Sequence, residues 1–223
     1  MSKTRVIAFI DGYNFYHSVH EMNPVDRRTG RLLRIKDHLK WVNLWSLVKA
    51  FTQPSKEDLI GVHYFSAYAT WRPASFAKHR AFVAALKTTG VNVVLGKFKE
   101  KPRSCRKCAA TWKGHEEKET DVNLALYLLD LAYKDEFDKA IVLTADTDIL
   151  PAIRMVKDRF PNKEIVGLLP NTRFVAANAL RTLCPVSSFN EGHLKKNLFP
   201  AVIAVPGSKD IVRPPAYDPP AVP

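Results

Sequence analysis

Residues 6–14 read Val-Ile-Ala-Phe-Ile-Asp-Gly-Tyr-Asn, and residues 140–149 read Ala-Ile-Val-Leu-Thr-Ala-Asp-Thr-Asp-Ile. In each stretch an apolar run ends at an aspartate, as expected where a buried strand of a parallel sheet enters a loop. Similar runs near 59–66, 91–98 and 164–169 are separated by helical patterns. This alternation predicts an α/β fold with a mostly parallel sheet that has helices on both faces.

The chain is predicted to contain one domain and a proline-rich C-terminal segment. Its 223 residues, 46% of them hydrophobic, suffice for one substantial core. We expect this domain over residues 1–190, with basic insertions at 23–38 and 97–118 that form loops. Prolines disfavour helix and sheet from residue 200 onward, so residues 191–223 are predicted to form a tail that packs along the domain or extends from it.

The charge indicates the class of partner. Lys and Arg outnumber Asp and Glu by 34 to 22, which gives a formal net charge of +12. Nucleic acid is the leading partner because basic side chains release counterions from phosphates, although solubility alone also accounts for such a charge. The apolar runs are too short for a membrane span or a signal peptide, so we expect a cytoplasmic protein with no membrane partner. The oligomeric state, including a homodimer, is left open.

Four aspartates are expected at one edge of the sheet: Asp11, Asp121, Asp146 and Asp148. Strands that neighbour each other lie roughly 4.8 Å apart, so residues at their carboxyl ends come within reach of one cation. Each aspartate alone is explained as a helix cap or a partner of the helix dipole. Together they predict a site for Mg²⁺ or Mn²⁺, which prefer oxygen ligands.

Three neighbouring side chains are expected to support this site. Asn14 either caps the first helix or turns its amide toward a metal-bound water or a phosphate. Thr144 offers a hydroxyl that orients one of the aspartates, and Lys118 offsets the charge of a scissile phosphate. All three are therefore candidate substrate-binding or orienting residues.

Three motifs, taken in this order, resemble the NYN domains, which are relatives of the PIN and FLAP nuclease superfamily. They are DGYN at 11–14, EEKETDVNLAL at 116–126 and TADTDILPAI at 144–153. The resemblance covers residues 4–185. It implies a PIN-like three-layer sandwich with a sheet of five or six strands in the order 3-2-1-4-5.

The resemblance also implies a metal-dependent ribonuclease site at Asp11, Asp121, Asp146 and Asp148, with Asn14 beside them. Ile149 stands where the family often has an aromatic residue, a difference that affects packing more than chemistry. In such a site Mg²⁺ or Mn²⁺ activates water and stabilises the leaving oxygen.

A second metal is considered in the insertion at 97–118. Cys105, Cys108 and His115 form a C-x2-C-x6-H pattern that suits structural Zn²⁺, with a fourth ligand unassigned. Solvated free thiols explain the cysteines equally well. Redox chemistry is the weakest interpretation, because the pair does not open a helix after a strand.

Basic residues alternate with aromatic ones in the same insertion, a mixture suited to single-stranded RNA. Trp112 is the best candidate for stacking on a base because it lies in a polar stretch. The candidate RNA-binding residues of this insertion are Lys99, Arg103, Arg106, Lys107, Trp112 and Lys113.

The leading prediction is a metal-dependent endoribonuclease, because every acidic position of the family motifs is filled. The main alternative is a non-catalytic RNA-binding or interaction module with the same fold. An oxidoreductase is a third alternative, since some proteins resembling this family carry a pyridine-hydroxylase name. It is disfavoured because no G-x-G-x-x-G motif follows the first strand.

Overall fold

The computed structural model describes residues 2–173 and 178–220. Its strands are β1 (Thr4–Asp11), β2 (Glu57–Ala67), β3 (Asn92–Ser104), β4 (Thr111–Lys118), β5 (Lys139–Leu143), β6 (Glu164–Pro170), β7 (Val186–Phe189), β8 (Val202–Ile203) and β9 (Ile211–Val212). Its α-helices are α1 (Gly12–Glu21), α2 (Leu44–Lys49), α3 (Pro73–Lys87), α4 (Thr120–Tyr133), α5 (Leu150–Arg159), α6 (Asn178–Arg181) and α7 (Glu191–Lys196). Within these two ranges, none of the helices has the length and apolar character needed to span a membrane.

Seven strands form one sheet in the order β4-β3-β2-β1-β5-β6-β7, and β4 alone among them pairs antiparallel. The part β3-β2-β1-β5-β6 reproduces the predicted order 3-2-1-4-5, so the α/β class and the PIN-like sandwich are confirmed. The predicted count of five or six strands is wrong. The pattern missed β4 because it is charged, and β7 because Val-Ser-Ser-Phe is short and polar.

The sheet separates two hydrophobic clusters, one on each face. In β1, Val6, Ala8 and Ile10 belong to the cluster with α1, α2 and α3. Ile7 and Phe9 belong to the cluster with α4 and α5. Successive side chains of a strand point to opposite faces, so a strand covered on both sides must be apolar throughout. The unbroken apolar run that opens the domain therefore marks the centre of the sheet.

The insertion at 97–118 is a β-hairpin, where the sequence predicted a loop. β3 continues to Ser104, and β4 pairs with it antiparallel beyond the turn at 105–110. Cross-strand ion pairs support this pairing, for example between Lys101 and Glu116 at 3.2 Å. The high charge concealed the strands because strand prediction relies on apolar residues.

The other insertion and the C-terminal segment pack on the domain. Residues 23–38 contain a turn closed by an antiparallel bridge between Val25 and Leu32. After α7, strands β8 and β9 pair with each other, and Tyr217 is buried in the cluster that contains α1, α2 and α3. Residues 221–223 of the predicted tail lie outside the described residues.

Candidate active site

The carboxyl ends of β1 and β5 bring Asp11 and Asp146 to the same edge of the sheet. The two strands are direct neighbours, with Ile10 opposite Leu143. The hydroxyl of Thr144 donates to Asp11 Oδ2 at 2.9 Å and accepts the backbone N–H of Asp146 at 3.0 Å. Thr144 is itself buried, and its hydroxyl holds the carboxylate of Asp11 and the backbone of Asp146 together.

Asp11 is buried, whereas Asp146 is exposed. Its side chain caps α1, because Oδ1 accepts the backbone N–H of Asn14 at 2.9 Å. Burial raises the pKa of Asp11, hydrogen bonds from Asn14 and Thr144 oppose the rise, and the charge of Asp146 adds to it. Since a carboxylate has about four acceptor positions, Asp11 can cap a helix and still bind a cation.

Gly12 lets α1 begin immediately behind Asp11. A Cβ atom here would lie 2.4 Å from the ring of Tyr64 in β2, a distance that real contacts do not show. Gly12 is not among the glycines with positive φ. The glycine is therefore required by close packing against β2.

Asp121 and Glu117 reach the same place from the junction of β4 and α4. Between them Glu119 adopts a left-handed φ of 80°, which turns the chain from the strand into the helix. Burial is the first cause that raises the pKa of Asp121 to about 6, followed by the charges of Asp11 and Asp146. These carboxylates therefore repel one another when no cation lies between them.

A cavity of about 240 Å³, here called the carboxylate cavity, is lined by Asp11, Tyr13, Asn14, His17, Glu117, Asp121, Asp146 and Arg173. Asp148 does not line it; it is exposed, and its backbone N–H donates to Asp146 Oδ1 at 3.0 Å. In the described part of the chain, no three His, Cys, Asp or Glu side chains converge tightly enough to hold a metal ion. This open arrangement suits Mg²⁺, which keeps several waters and binds one or two carboxylates.

Arg173 supplies positive charge to the carboxylate cavity. Its guanidinium pairs with both carboxylate oxygens of Glu21, the Nε–Oε2 distance being 2.8 Å, and donates to Asn14 Oδ1 at 3.2 Å. Asn14 Oδ1 also accepts the backbone N–H of Ala145 at 3.2 Å. The amide oxygen of Asn14 is thus engaged within the protein, and Asn14 positions Arg173 and the loop after β5.

The sequence prediction omitted four of the residues that line this cavity: Tyr13, His17, Glu117 and Arg173. Tyr13 and His17 are four residues apart on α1 and therefore share one face of the helix. Arg173 follows the end of β6, so the rule that pointed to Asp11 and Asp146 would also have pointed to it. Glu117 lies in the acidic run before Asp121, where nothing in the sequence distinguishes it from Glu116 and Glu119.

The basic residues of the hairpin lie mostly apart from the carboxylate cavity. In the register of β3 and β4, one face carries Lys99, Arg103, Trp112, Glu116 and Lys118, the other carries Lys113 and Glu117, and Arg106 and Lys107 are in the turn. Glu117 lines the cavity, so Lys118 belongs to the opposite face, where it pairs with Glu116 at 3.2 Å. Arg173, and not Lys118, places a positive charge at the carboxylate cavity.

The predicted zinc ligands are not brought together. Cys105 and Cys108 are free thiols in the hairpin turn. β4 begins after this turn, at Thr111, and His115 lies four residues farther along the strand, a distance of roughly 13 Å. The ring of His115 stacks on the ring of Trp71, with centroids 3.7 Å apart. Zinc bonds of about 2.0–2.3 Å do not span this separation, so these three side chains cannot share one ion.

Comparisons with known proteins fit this architecture. Residues 5–188 match the NYN domain family model. The chain is 27% identical, over 96% of its own length and 75% of the relative's, to 6-hydroxy-3-succinoylpyridine 3-monooxygenase HspA of Pseudomonas putida. A protein of unknown function from Vibrio parahaemolyticus has a similar crystal structure, with a TM-score of 0.54 and 18% identity, covering 88% of this chain and 97% of that one. That likeness concerns the fold alone.

Proposed function

Because the chain belongs to the NYN domain family, we propose that it is a metal-dependent ribonuclease with its active site in the carboxylate cavity. The observation that carries this proposal is the convergence of Asp11, Asp121 and Asp146 on one cavity from β1, α4 and the end of β5. Burial and the repulsion of Asp11 and Asp146 raise the pKa of Asp121. Arg173, which also lines the cavity, is already paired with Glu21. Such an acidic site favours a divalent cation.

One or two of the carboxylates of Asp11, Asp121 and Asp146 would bind Mg²⁺ or Mn²⁺ directly, and the remaining one and Glu117 would act through water molecules on the ion. A bound ion of this kind activates a water molecule, orients the phosphate and stabilises the leaving 3′ oxygen. Thr144 fixes the carboxylate of Asp11 toward the cavity. Asp148 acts from outside the cavity, by its charge and by its backbone contact to Asp146.

Arg173 would bind a non-bridging oxygen of the scissile phosphate. A guanidinium suits this role because it carries five N–H donors, of which Glu21 and Asn14 engage three. Glu21 and Asn14 hold it at the cavity before any substrate arrives, so little ordering is required on binding.

The basic face of the hairpin would hold single-stranded RNA beyond the cleaved bond. This face carries Lys99, Arg103, Trp112 and Lys118. Arg106 and Lys107 in the turn, and Lys113 on the opposite face, would add further contacts to the RNA. Trp112 is 51% exposed and free to stack on a base.

A zinc ion bound by Cys105 and Cys108 would need its other ligands from a second copy of the chain, which would link zinc to a homodimer. Elemental analysis combined with size-exclusion chromatography tests this. Zinc that is far below stoichiometric in a stable monomer would remove the zinc site.

The proposal is tested with a panel of single-stranded and double-stranded RNA and DNA, with Mg²⁺, with Mn²⁺ and with chelator. We expect products from single-stranded RNA with either ion and none with chelator or with Asp146→Asn. RNA binding without products under every condition would instead favour the non-catalytic module. Cleavage of DNA in preference to RNA would contradict the substrate class.

An oxidoreductase is the second candidate, and the name of the Pseudomonas putida relative, a 6-hydroxy-3-succinoylpyridine 3-monooxygenase, is the observation that favours it. DGYN stands after β1 in place of a dinucleotide-binding glycine motif, which weighs against it. An absorbance spectrum for flavin and an assay of nicotinamide oxidation with that pyridine test the candidate. A colourless protein that does not oxidise the cofactor would remove it.

A further inference from the structure

A second cavity, of about 200 Å³, adjoins the carboxylate cavity. We call it the aromatic cavity; it is enclosed by α1, the end of β2 and α3, with Tyr217 from the C-terminal segment in its wall. Tyr13 and His17 line both cavities. The two cavities therefore share part of one wall.

We propose that the aromatic cavity binds a nucleobase of the RNA strand, beside the phosphate held in the carboxylate cavity. This inference rests on the proposed ribonuclease function and adds to it a pocket that selects the base. Three properties of the cavity carry it: the aromatic walls, the neutral polar groups inside and the cations at the rim.

Aromatic rings form the walls. Tyr13 is 53% exposed and Tyr16 is 36% exposed, although both lie on a helix that packs against the sheet. Phe82 and Phe98 line the cavity from α3 and β3. Bases stack on such rings, and each stacked base contributes about 1–3 kcal/mol in single-strand binding proteins.

Neutral polar groups face the interior. Ser66 is buried, and its Oγ lies 3.4 Å from Nε2 of His79. The hydroxyl oxygen of Tyr64 lies at the same distance, 3.4 Å, from this nitrogen. These distances are long for hydrogen bonds, so the three groups have capacity for a ligand. Burial lowers the pKa of His79 to about 4, which keeps the imidazole neutral at physiological pH. A neutral imidazole and hydroxyls both donate and accept, as the edge of a base requires.

Cations lie at the rim and beside the tyrosines. Arg72 is exposed, and Lys78 lies 5.9 Å from the ring centroid of Tyr217. Lys40 is buried, paired with Asp37 at 2.6 Å, and its amino group lies 4.4 Å from the ring centroid of Tyr16. The charges of Arg72 and Lys78 favour the phosphates that flank a bound base, whereas the charge of Lys40 is offset by Asp37.

The size of the cavity selects the part of the nucleotide that enters. A volume of about 200 Å³ is below the roughly 300–1,000 Å³ of sites for drug-sized ligands. One flat heteroaromatic ring system fits inside, while the ribose and phosphate stay at the mouth. Tyr13, which lines both cavities, then lies between the base and the phosphate.

The proposal is tested by calorimetry in chelator, where no cleavage occurs. The probes are the four nucleoside 5′-monophosphates, ribose 5-phosphate and the free nucleobases. We expect at least one nucleotide to bind at least tenfold more tightly than ribose 5-phosphate. Equal binding of ribose 5-phosphate would overturn the base pocket. A free base that binds as tightly as its nucleotide would instead indicate a pocket for free heterocycles and overturn the assignment to RNA.

Filling the cavity provides the matched variants. Ser75 lies in the exposed first turn of α3 and lines the cavity, whereas its neighbour Ala74 is exposed and does not. Ser75→Trp should weaken nucleotide binding at least tenfold, and Ala74→Trp should leave it unchanged. Unchanged binding in a folded Ser75→Trp protein, verified by circular dichroism, would refute the proposal. Ala69→Trp fills the same cavity from a loop and replaces Ser75→Trp if that variant does not fold.

Different results would contradict the proposed ribonuclease activity and the proposed base pocket. Nucleotide binding that is lost in Ser75→Trp, without metal-dependent cleavage, would remove the nuclease and keep the pocket. Cleavage of RNA without nucleotide selectivity, unchanged in Ser75→Trp, would keep the nuclease and remove the pocket.

Discussion

The pKa values of carboxyl groups are shifted in opposite directions in two regions of this protein. In the carboxylate cavity, burial and neighbouring acids raise the pKa values of Asp11 and Asp121. In the β3–β4 hairpin, hydrogen bonds from Lys101 and Lys118 lower the pKa of Glu116. The charge of Glu116 is thus neutralised within the hairpin, whereas Asp11 and Asp121 need a cation from outside the protein.

The two regions also differ in how far apart in sequence their partners lie. Thr144 and Asp11, which meet in the cavity, are 133 residues apart, whereas Arg103 and Glu116 in the hairpin are 13 apart. Local pairing of charges builds the hairpin. Bringing like charges together from distant elements costs stability, which is typical of functional sites.

The largest expected effect on the cleavage rate comes from replacing the aspartates of the carboxylate cavity. Asp11→Asn and Asp146→Asn should each lower cleavage of single-stranded RNA at least about 10³-fold, because each removes charge that holds the cation. The fold should persist, since asparagine retains an oxygen that caps a helix. Rates with saturating Mn²⁺ and circular dichroism spectra provide the measurement.

Asp130→Asn is the matched control for this pair. Asp130 lies on α4, as Asp121 does, but pairs with Lys134 at the far end of the helix. Its substitution should leave cleavage within about twofold, because an exposed ion pair contributes little. A comparable loss in all three variants would show that cleavage depends on net charge and not on the cavity.

Replacing Arg173 tests the positive side of the cavity. Arg173→Gln should slow cleavage about 30-fold, since it removes a charge-assisted contact to the phosphate. Arg154→Gln changes an exposed arginine of α5 and should have no such effect. Single-turnover rates separate this step from RNA binding. Equal rates for the Arg173 variant and wild type would remove Arg173 from the site.

The hairpin should affect binding but not cleavage. Trp112→Ala should weaken RNA binding about tenfold, the value of one stacked base, and leave the single-turnover rate unchanged. Trp112→Phe keeps an aromatic ring and should retain most of the affinity. Fluorescence anisotropy with labelled RNA in chelator measures both variants. If Trp112→Ala lowered the single-turnover rate at saturating RNA, the division of roles between hairpin and cavity would be wrong.

The smallest effect concerns stability and pH. The pKa of Asp121 is raised from 3.8 to about 6, so this group stabilises the fold below about pH 4, and that contribution is lost as the pH rises through 6. In metal-free buffer, Asp121→Asn should remove about 1 kcal/mol of the decline in unfolding free energy between pH 4 and 7, since solvent screens this half-exposed carboxyl. Denaturant unfolding at several pH values measures it, and a decline identical to that of wild type would contradict the pKa assignment.

The central strands of the sheet and the aspartates that follow them could be predicted from the sequence. Residues 6–10 of β1 and 140–143 of β5 are all apolar because they are buried on both faces. The ends of these runs, at Asp11 and Asp146, could therefore be located and placed side by side. β4 could not be predicted, because ion pairs between strands, which no apolar pattern reveals, support it. Arg173 and the aromatic cavity depend on contacts between elements far apart in the chain, which periodicity does not show.

Parallel Mn²⁺ titrations of cleavage and of thermal unfolding test most directly whether the carboxylate cavity is the metal site of a ribonuclease. A cation that binds only the folded protein raises Tm with concentration. We expect Tm to rise steadily with the logarithm of the Mn²⁺ concentration above the concentration that gives half-maximal cleavage, and both responses to disappear in Asp146→Asn. Cleavage that persists in chelator, or in Asp146→Asn at the wild-type rate, would contradict the assignment.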